Sequence, residues 1–299
     1  MLRSMSSAIS GMQAFQTDLD VVGNNIANVN TVGFKSSRTD FGDVLSQTLS
    51  GGNAGTTGGL GGTNPQQVGL GVKVTGTQLD MSGGPDQTTS SPTDLAINNA
   101  GFFVVKSNTG GATSGSTYLT RAGDFTVDSN DDLVLPNGFV AMGFQGSTAP
   151  SATTNETGLV PVNLSTMLAG VAPSGVTLPS SPNVQIGEDG SINVTGSDGK
   201  TYTVGYMALG TVPNPAGLEK VGDNMYGVVP SAGQVTYAAP NDTTAGTGTL
   251  SSGELEMSNV DLSNEFSEMI VAQNGYVANT HVIGTDSTIL QALVNMKNS

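Results

Sequence analysis

The chain has 299 residues, with no cysteine, no tryptophan, one histidine and a formal net charge of −15. Nine Lys plus Arg against 24 Asp plus Glu leave no basic face with which to displace nucleic-acid counterions, and such acidity argues against docking on anionic lipid. The missing thiols exclude disulfides, thiolate catalysis and Cys-ligated metals, while the wealth of Gly, Ser, Thr and Asn favours short strands and turns around a real core.

The first residues contain no continuous apolar run, which predicts no cleaved signal peptide. No stretch of about 18 apolar residues occurs that would span a membrane. Residues 2 to about 30 read as an amphipathic helix. Leu2, Met5, Ile9 and Met12 recur at three- and four-residue steps, and Phe15, Leu19, Val22, Ile26 and Val29 continue the stripe. The short step from Met12 to Phe15 resembles a stammer in a heptad pattern. Asn28, Asn30 and Gly33 supply the stop.

Residues 35–69 are expected to be a Gly-rich connector. Within it Phe41, Val44 and Leu45 anchor a short helix or strand, and residues 50–66 (SGGNAGTTGGLGGTNPQ) form its loosely packed part. From Val68 the period becomes two, through Leu70, Val72 and Val74. Short strands follow at Leu95–Ile97, Phe102–Val105, Tyr118–Thr120, Phe125–Val127, Leu133–Leu135 and Phe139–Met142. A second group passes through Val184, Ile186, Ile192, Val194, Tyr202, Val204 and Tyr206. Asn137-Gly138, Asp189-Gly190 and Asp198-Gly199 mark tight turns, because these residues tolerate positive φ. Residues 146–182, rich in Ser, Thr, Pro and Ala, read as a surface excursion, and residues 230–250 as another polar stretch.

The last 40 or so residues return to helix. Leu262, Met269, Tyr276, Ile283 and Leu290 lie seven apart, Phe266 and Val294 extend the seam, and Gln273, Thr280 and Ser287 are its interleaved polar layers. Ser258 to Asp261 has capping-box spacing and marks the start. The expected fold is mixed: an all-β central domain (70–255) flanked by N- and C-terminal helices (1–34 and 256–299) that pack together as a coiled coil. A helix stripe with no domain of its own needs a partner, either the other helix and copies from neighbouring chains or the β-domain core.

Catalytic chemistry is not legible. His281 is a lone histidine on a helix, read as a surface or interface residue. Asp128 to Asp132 lacks the Gly and the twelfth-position Glu of a calcium loop, Phe139 standing there instead. Gly196 to Thr201 is two residues short of a phosphate loop, with Val194 at its first Gly position. Both read as hairpin turns. No catalytic residue, metal ligand or cofactor is expected, and the chain reads as a non-enzyme.

Residues 19–35 (LDVVGNNIANVNTVGFK) and 258–276 (SNVDLSNEFSEMIVAQNGY) resemble the N- and C-terminal signatures of the flagellar rod and hook family. Residues 94–105 (DLAINNAGFFVV), 118–128 (YLTRAGDFTVD) and 217–227 (GLEKVGDNMYG) resemble its β-domain motifs. The start SNVDLS and the run MIVAQ are similar to the hook type, in the short form without a large outer domain, and the distal-rod type is the alternative. The family commonly has Arg after the Ala-Gln pair, where this chain has Asn274 and then Gly275. That departure leaves open any inter-subunit ion pair there.

The resemblance implies a homopolymer, a hollow helical tube with terminal helices in its inner wall, which as a hook transmits torque from rod to filament as a universal joint. It implies an extracellular flagellar location, type III export without a cleaved signal, and rod, hook–filament junction and hook-cap proteins as partners, with neither nucleic acid nor membrane insertion. The polymerisation interface it implies comprises Met5, Ile9, Met12, Phe15, Leu19, Val22, Asn25, Ile26 and Val29, with Leu262, Phe266, Met269, Gln273, Tyr276, Ile283, Leu290 and Val294. A secreted adhesive or glycan-binding β-protein fits the middle composition but does not explain heptads at both ends.

Overall fold

A computed structural model describes residues 2–55, 61–107, 116–150, 152–154, 156, 158–173, 175–179 and 183–297. The chain forms two compact units, one of residues 1–27, 37–80 and 260–299 and the other of residues 28–36 and 81–259.

In the first unit, α1 (Leu2–Ala27) and α3 (Leu262–Lys297) pack along each other. Asp261 caps α3, its carboxylate accepting from the Ser263 amide at 2.9 Å and from the Asn264 side chain at 3.1 Å. The helix therefore begins one turn after Ser258. Beside α1 lie β1 (Ser37–Asp43) and β4 (Val72–Leu79), paired antiparallel with a bulge at Asp40/Phe41. The ribbon extends through β2 (Ser46–Ser50) and β3 (Gln66–Gly69) and the Asn53–Thr63 bridge.

The expected connector over 35–69 is thus in large part strand, and β4 joins the helices rather than the β-rich unit. Residues 56–60 of its Gly-rich part lie outside the described residues. The physical reason is that Phe41, Val72 and Val74 alternate with polar residues and have α1 to pack on. The rings of Phe15 and Phe41 meet at 5.8 Å.

The second unit is mostly antiparallel sheet. One path runs Val184–Ile186, Ser191–Thr195, Thr201–Met207, Val140–Gln145, Phe102–Lys106, Thr117–Thr120, Met225–Gly227 and Glu219–Gly222. The predicted strands recur close to their expected positions, because their alternating side chains are buried. Phe103, Leu119, Phe125, Leu133, Ile192 and Val204 are all fully enclosed. The turns Asn137-Gly138, Asp189-Gly190 and Asp198-Gly199 each place glycine at positive φ. Asp128 accepts from the amides of Asn130 and Asp132, an ordinary turn between two short strands.

The stretch over 146–182 departs from the expected surface excursion. Its helix α2 (Leu164–Val171), capped by the Asn163 side chain on the Thr166 amide, buries Leu164, Met167 and Leu168 in the core. Residues 230–250 likewise contribute buried Val235, Tyr237, Ala238 and Leu250. Small and polar residues dominate both stretches by number, so their few deep anchors are diluted in composition.

Residues 28–36 are held in this second unit by a buried ion cluster. Glu256 accepts from Lys35 Nζ at 2.6 Å and from Arg121 Nη1 at 3.1 Å, all three side chains being nearly inaccessible. Lys35 also donates to the Ser82 carbonyl at 2.6 Å, and the Gly84 amide donates to Glu256 Oε1 at 3.1 Å. Gly33 has φ +67°, and a Cβ there would fall 2.5 Å from the Ala122 nitrogen, so only glycine fits.

Candidate functional site: the helix pair and its uncovered face

The α1–α3 seam is set by spacing. With Gly275 beside them, Glu265, Met269, Ala272, Tyr276, Asn279, Ile283, Asp286 and Leu290 are the buried or half-buried positions among the described residues of α3, in alternating steps of four and three. On α1 the matching stripe is Ser4, Ala8, Gly11, Phe15, Asp18, Val22 and Asn25. Four contacts fix the antiparallel register. Ser4 Oγ donates to Asp286 at 2.5 Å, Gly11 lies against Asn279, Phe15 against Gly275, and Asn25 Nδ2 donates to Glu265 at 3.0 Å. From Ser4 to Asn25 the chain advances 21 residues on α1, and from Asp286 to Glu265 it retreats 21 on α3. The register therefore does not slip.

Small residues let the helices approach closely. A Cβ on Gly11 would sit 2.8 Å from the Asn279 side chain, and one on Gly275 would sit 2.5 Å from the Phe15 ring. Asn25 makes two further bonds, its Oδ1 accepting from the Ser37 amide at 3.0 Å and its Nδ2 donating to the Ser37 carbonyl at 2.8 Å. Glu265 is costlier. Its Oε2 is buried with no hydrogen-bond partner. Burial pushes its carboxyl above the ordinary range, opposed by the Asn25 bond and reinforced by Glu268, Asp18 and Asp261. Burial raises the Asp18 carboxyl as well.

The sequence-predicted residues divide between this seam and the surface. Met269, Tyr276, Ile283 and Leu290 lie in it, as do Phe15, Val22 and Asn25. Met5, Met12, Leu19 and Ile26 are half-buried one position away, Ile9 is 40% exposed, and Val29 lies beyond the end of α1. Close approach selects Ala8 and Gly11 for the seam, which displaces the larger neighbours.

On α3 the interleaved layer is Glu265, Ala272, Asn279 and Asp286, not Gln273, Thr280 and Ser287, which are exposed. Both sets repeat every seven residues, and the side on which α1 lies decides between them. Leu262, Phe266 and Val294 also face outward, together with Ile270, Val277 and Ile289. Phe266 is 50% exposed, Ile270 58% and Val294 58%. Apolar side chains thus surround α3, and α1 covers one side of it. Patches of this kind mark contact surfaces.

Among the described residues no helix is long and apolar enough to cross a membrane, and no group of His, Cys, Asp and Glu is arranged to hold a metal. His281 is exposed on α3.

Three families match along the chain. Residues 5–35 match the flagella basal body rod protein family, residues 96–194 the D1 domain of flagellar hook protein FlgE/F/G, and residues 251–296 the C-terminal region of flagellar basal body rod FlgEFG proteins. The flagellar basal-body rod protein FlgG of Bacillus subtilis is 42% identical over 299 residues, covering 99% of this chain and all of that one. FlgG of Caulobacter vibrioides is 33% identical over 298 residues, with 99% and 100% covered. The flagellar hook protein FlgE of Helicobacter mustelae is 48% identical over 144 residues, 48% of this chain and 31% of that one.

Proposed function

The chain belongs to the family of flagellar basal-body rod and hook proteins, and from that premise we propose that it is a subunit of the hook. It polymerises into a curved hollow tube that passes torque from rod to filament. The observation that carries self-assembly is the apolar surface of α3 left uncovered by α1. In an open helical polymer one patch meets a different patch on the next subunit, and a helix apolar on several faces offers several such patches.

The hook type is supported by the SNVDLS start at Ser258, the MIVAQ run at Met269 and the high local identity to a hook protein. The end-to-end match to rod proteins of nearly equal length favours a second reading, the distal rod. Either role is mechanical and needs no cofactor or catalytic residue. The neighbours are further copies, the rod and hook–filament junction proteins, and, during assembly, the hook cap and type III export apparatus. The site is extracellular.

Antibody-gold labelling of hook–basal bodies isolated from the source bacterium tests the assignment. Label along the curved external segment supports the hook. Label confined to the straight rod supports the second reading, and label on neither refutes both.

A further inference from the structure

We propose that the C-terminal end of α3 is a plug that docks on a second copy of the chain, against the exposed apolar patch at the start of that copy's α3. The inference rests on the self-assembly reading above and adds which surface meets which.

The register defines the plug. In each of the four contacts between the helices the facing residue numbers total 290: Ser4 with Asp286, Gly11 with Asn279, Phe15 with Gly275, and Asn25 with Glu265. Leu2, where α1 starts, therefore stands opposite Thr288. From there α3 runs on over residues 289–297, roughly 13 Å at 1.5 Å per residue, with no turn of α1 beside it.

The seam changes character at that point. Its second row on α3 reads Glu265, Ala272, Asn279 and Asp286 as far as α1 reaches, and the next member at the same spacing is Leu293. Small and polar side chains suffice against α1, and the row turns large and apolar only past it. Ile289 is 47% exposed, Leu293 45%, Val294 58% and Met296 73%, the last being the most exposed large apolar side chain among the described residues. A single exposed apolar residue is ordinary, whereas a cluster of them closing a helix marks a contact.

The same chain carries a matching surface. At the opposite end the two helices finish nearly flush, Ala27 standing opposite Ser263, and Leu262, Phe266 and Ile270 are exposed there at steps of four. Charge agrees with the pairing. Residues 289–297 contain one charged residue, Lys297, and Arg3 is exposed on α1 at the same end. Asp286, the acid of that end, is buried against Ser4. Around the patch Asp20, Asp261 and Glu268 are exposed, and the β1 cation Arg38 is already paired with Asp40 at 3.7 Å. An apolar plug with a cationic rim thus meets an apolar patch with an anionic rim.

The two surfaces cannot satisfy each other within one chain. Phe266 and Leu293 are 27 residues apart on one continuous helix, roughly 40 Å along its axis, so the plug of one copy reaches only the patch of another. A contact between unlike patches leaves one plug and one patch open at the ends of every assembly, and so repeats into an open polymer.

The chain has no cysteine, so two single variants, Phe266→Cys and Leu293→Cys, report the contact by disulfide formation under copper phenanthroline. Polymer co-assembled from both is expected to give a cross-linked dimer that the monomeric mixture, and polymer of either variant alone, do not give. Absence of the dimer from co-assembled polymer, or its formation in polymer of either variant alone, overturns the proposal. Should a variant not assemble, a side-chain-resolution cryo-electron microscopy map of polymer of the unsubstituted chain decides. Leu293 and Met296 packed on Leu262, Phe266 or Ile270 of a second copy is the expected result. The plug seated on any other surface, its own chain included, overturns the proposal and leaves the hook reading standing. If the unsubstituted chain forms no polymer, both fall together.

Discussion

Glycine-to-alanine changes along the helices separate packing from propensity. Gly23 in α1 and Gly284 in α3 have open space where a Cβ would stand, with no atom within 4 Å, whereas at Gly275 three Phe15 ring atoms lie 2.5, 2.7 and 2.7 Å from that point. Alanine is favoured over glycine by about 1 kcal/mol inside a helix. Gly23→Ala and Gly284→Ala are therefore expected to stabilise the helix pair by about 1 kcal/mol each.

Gly275→Ala gains the same propensity but drives Phe15 back by roughly an ångström, since ordinary contacts begin near 3.4 Å. Phe15 is braced by Phe41, so the retreat is not free. Overpacking of this kind costs about 1–3 kcal/mol, which leaves a net loss of about 1 kcal/mol. Thermal unfolding followed by far-ultraviolet circular dichroism reads the difference, at about 2–4 °C per kcal/mol. Phe15→Leu in the Gly275→Ala background makes room and is expected to recover part of the loss. If Gly275→Ala stabilised the chain as much as Gly284→Ala does, the close approach of α1 to α3 would be refuted.

Glu265 and Asp18 have carboxyls held above their ordinary range by burial. Their protonated forms are favoured in the packed state, so the helix pair is most stable below the ordinary carboxylate pKa and weakens as pH rises through the raised values. Glu265→Gln is expected to flatten that dependence and to strengthen pairing at neutral pH. An unchanged pH profile of helix melting contradicts it. Glu256→Gln leaves Lys35 and Arg121 buried without their carboxylate, and calorimetry is expected to show a loss of about 3–5 kcal/mol. A change under about 1 kcal/mol would argue against a buried cluster. Phe266→Ser with Val294→Ser alters exposed positions, so the monomer's melting is expected to change by no more than about 0.5 kcal/mol per site, while polymerisation measured by sedimentation fails. Normal polymer yield would exclude that face from assembly.

Much of the architecture was legible because side-chain periodicity reports burial directly. The switch from helical spacing before residue 30 to period two near Val68, and back to helical spacing after Asp261, located both helices and most strands. The stretches that misled did so for physical reasons. At 164–171 only Leu164, Met167 and Leu168 anchor a helix among small residues, too few to outweigh the surrounding Ser, Thr and Pro. At 37–50 the strands are largely exposed, and Gly-rich flanks hid a ribbon whose support comes from α1.

The helix seam was half legible. Met269, Tyr276, Ile283 and Leu290 announce one row, but the second row could lie at either adjacent heptad position. Choosing between Asn279 and Thr280 requires knowing that Gly11 comes within contact of Asn279, a tertiary fact. Glu265 and Asp286 gave no signal as buried groups, because acidic residues on a helix are ordinarily solvated.

Hydroxyl-radical footprinting of Phe266, Ile270, Val277 and Val294, in monomer and in assembled polymer, goes most directly to whether sibling copies cover the outer face of α3. Strong labelling of all four in the monomer and loss of labelling in the polymer is the result expected here. Equal labelling in both states would mean that assembly proceeds through some other surface.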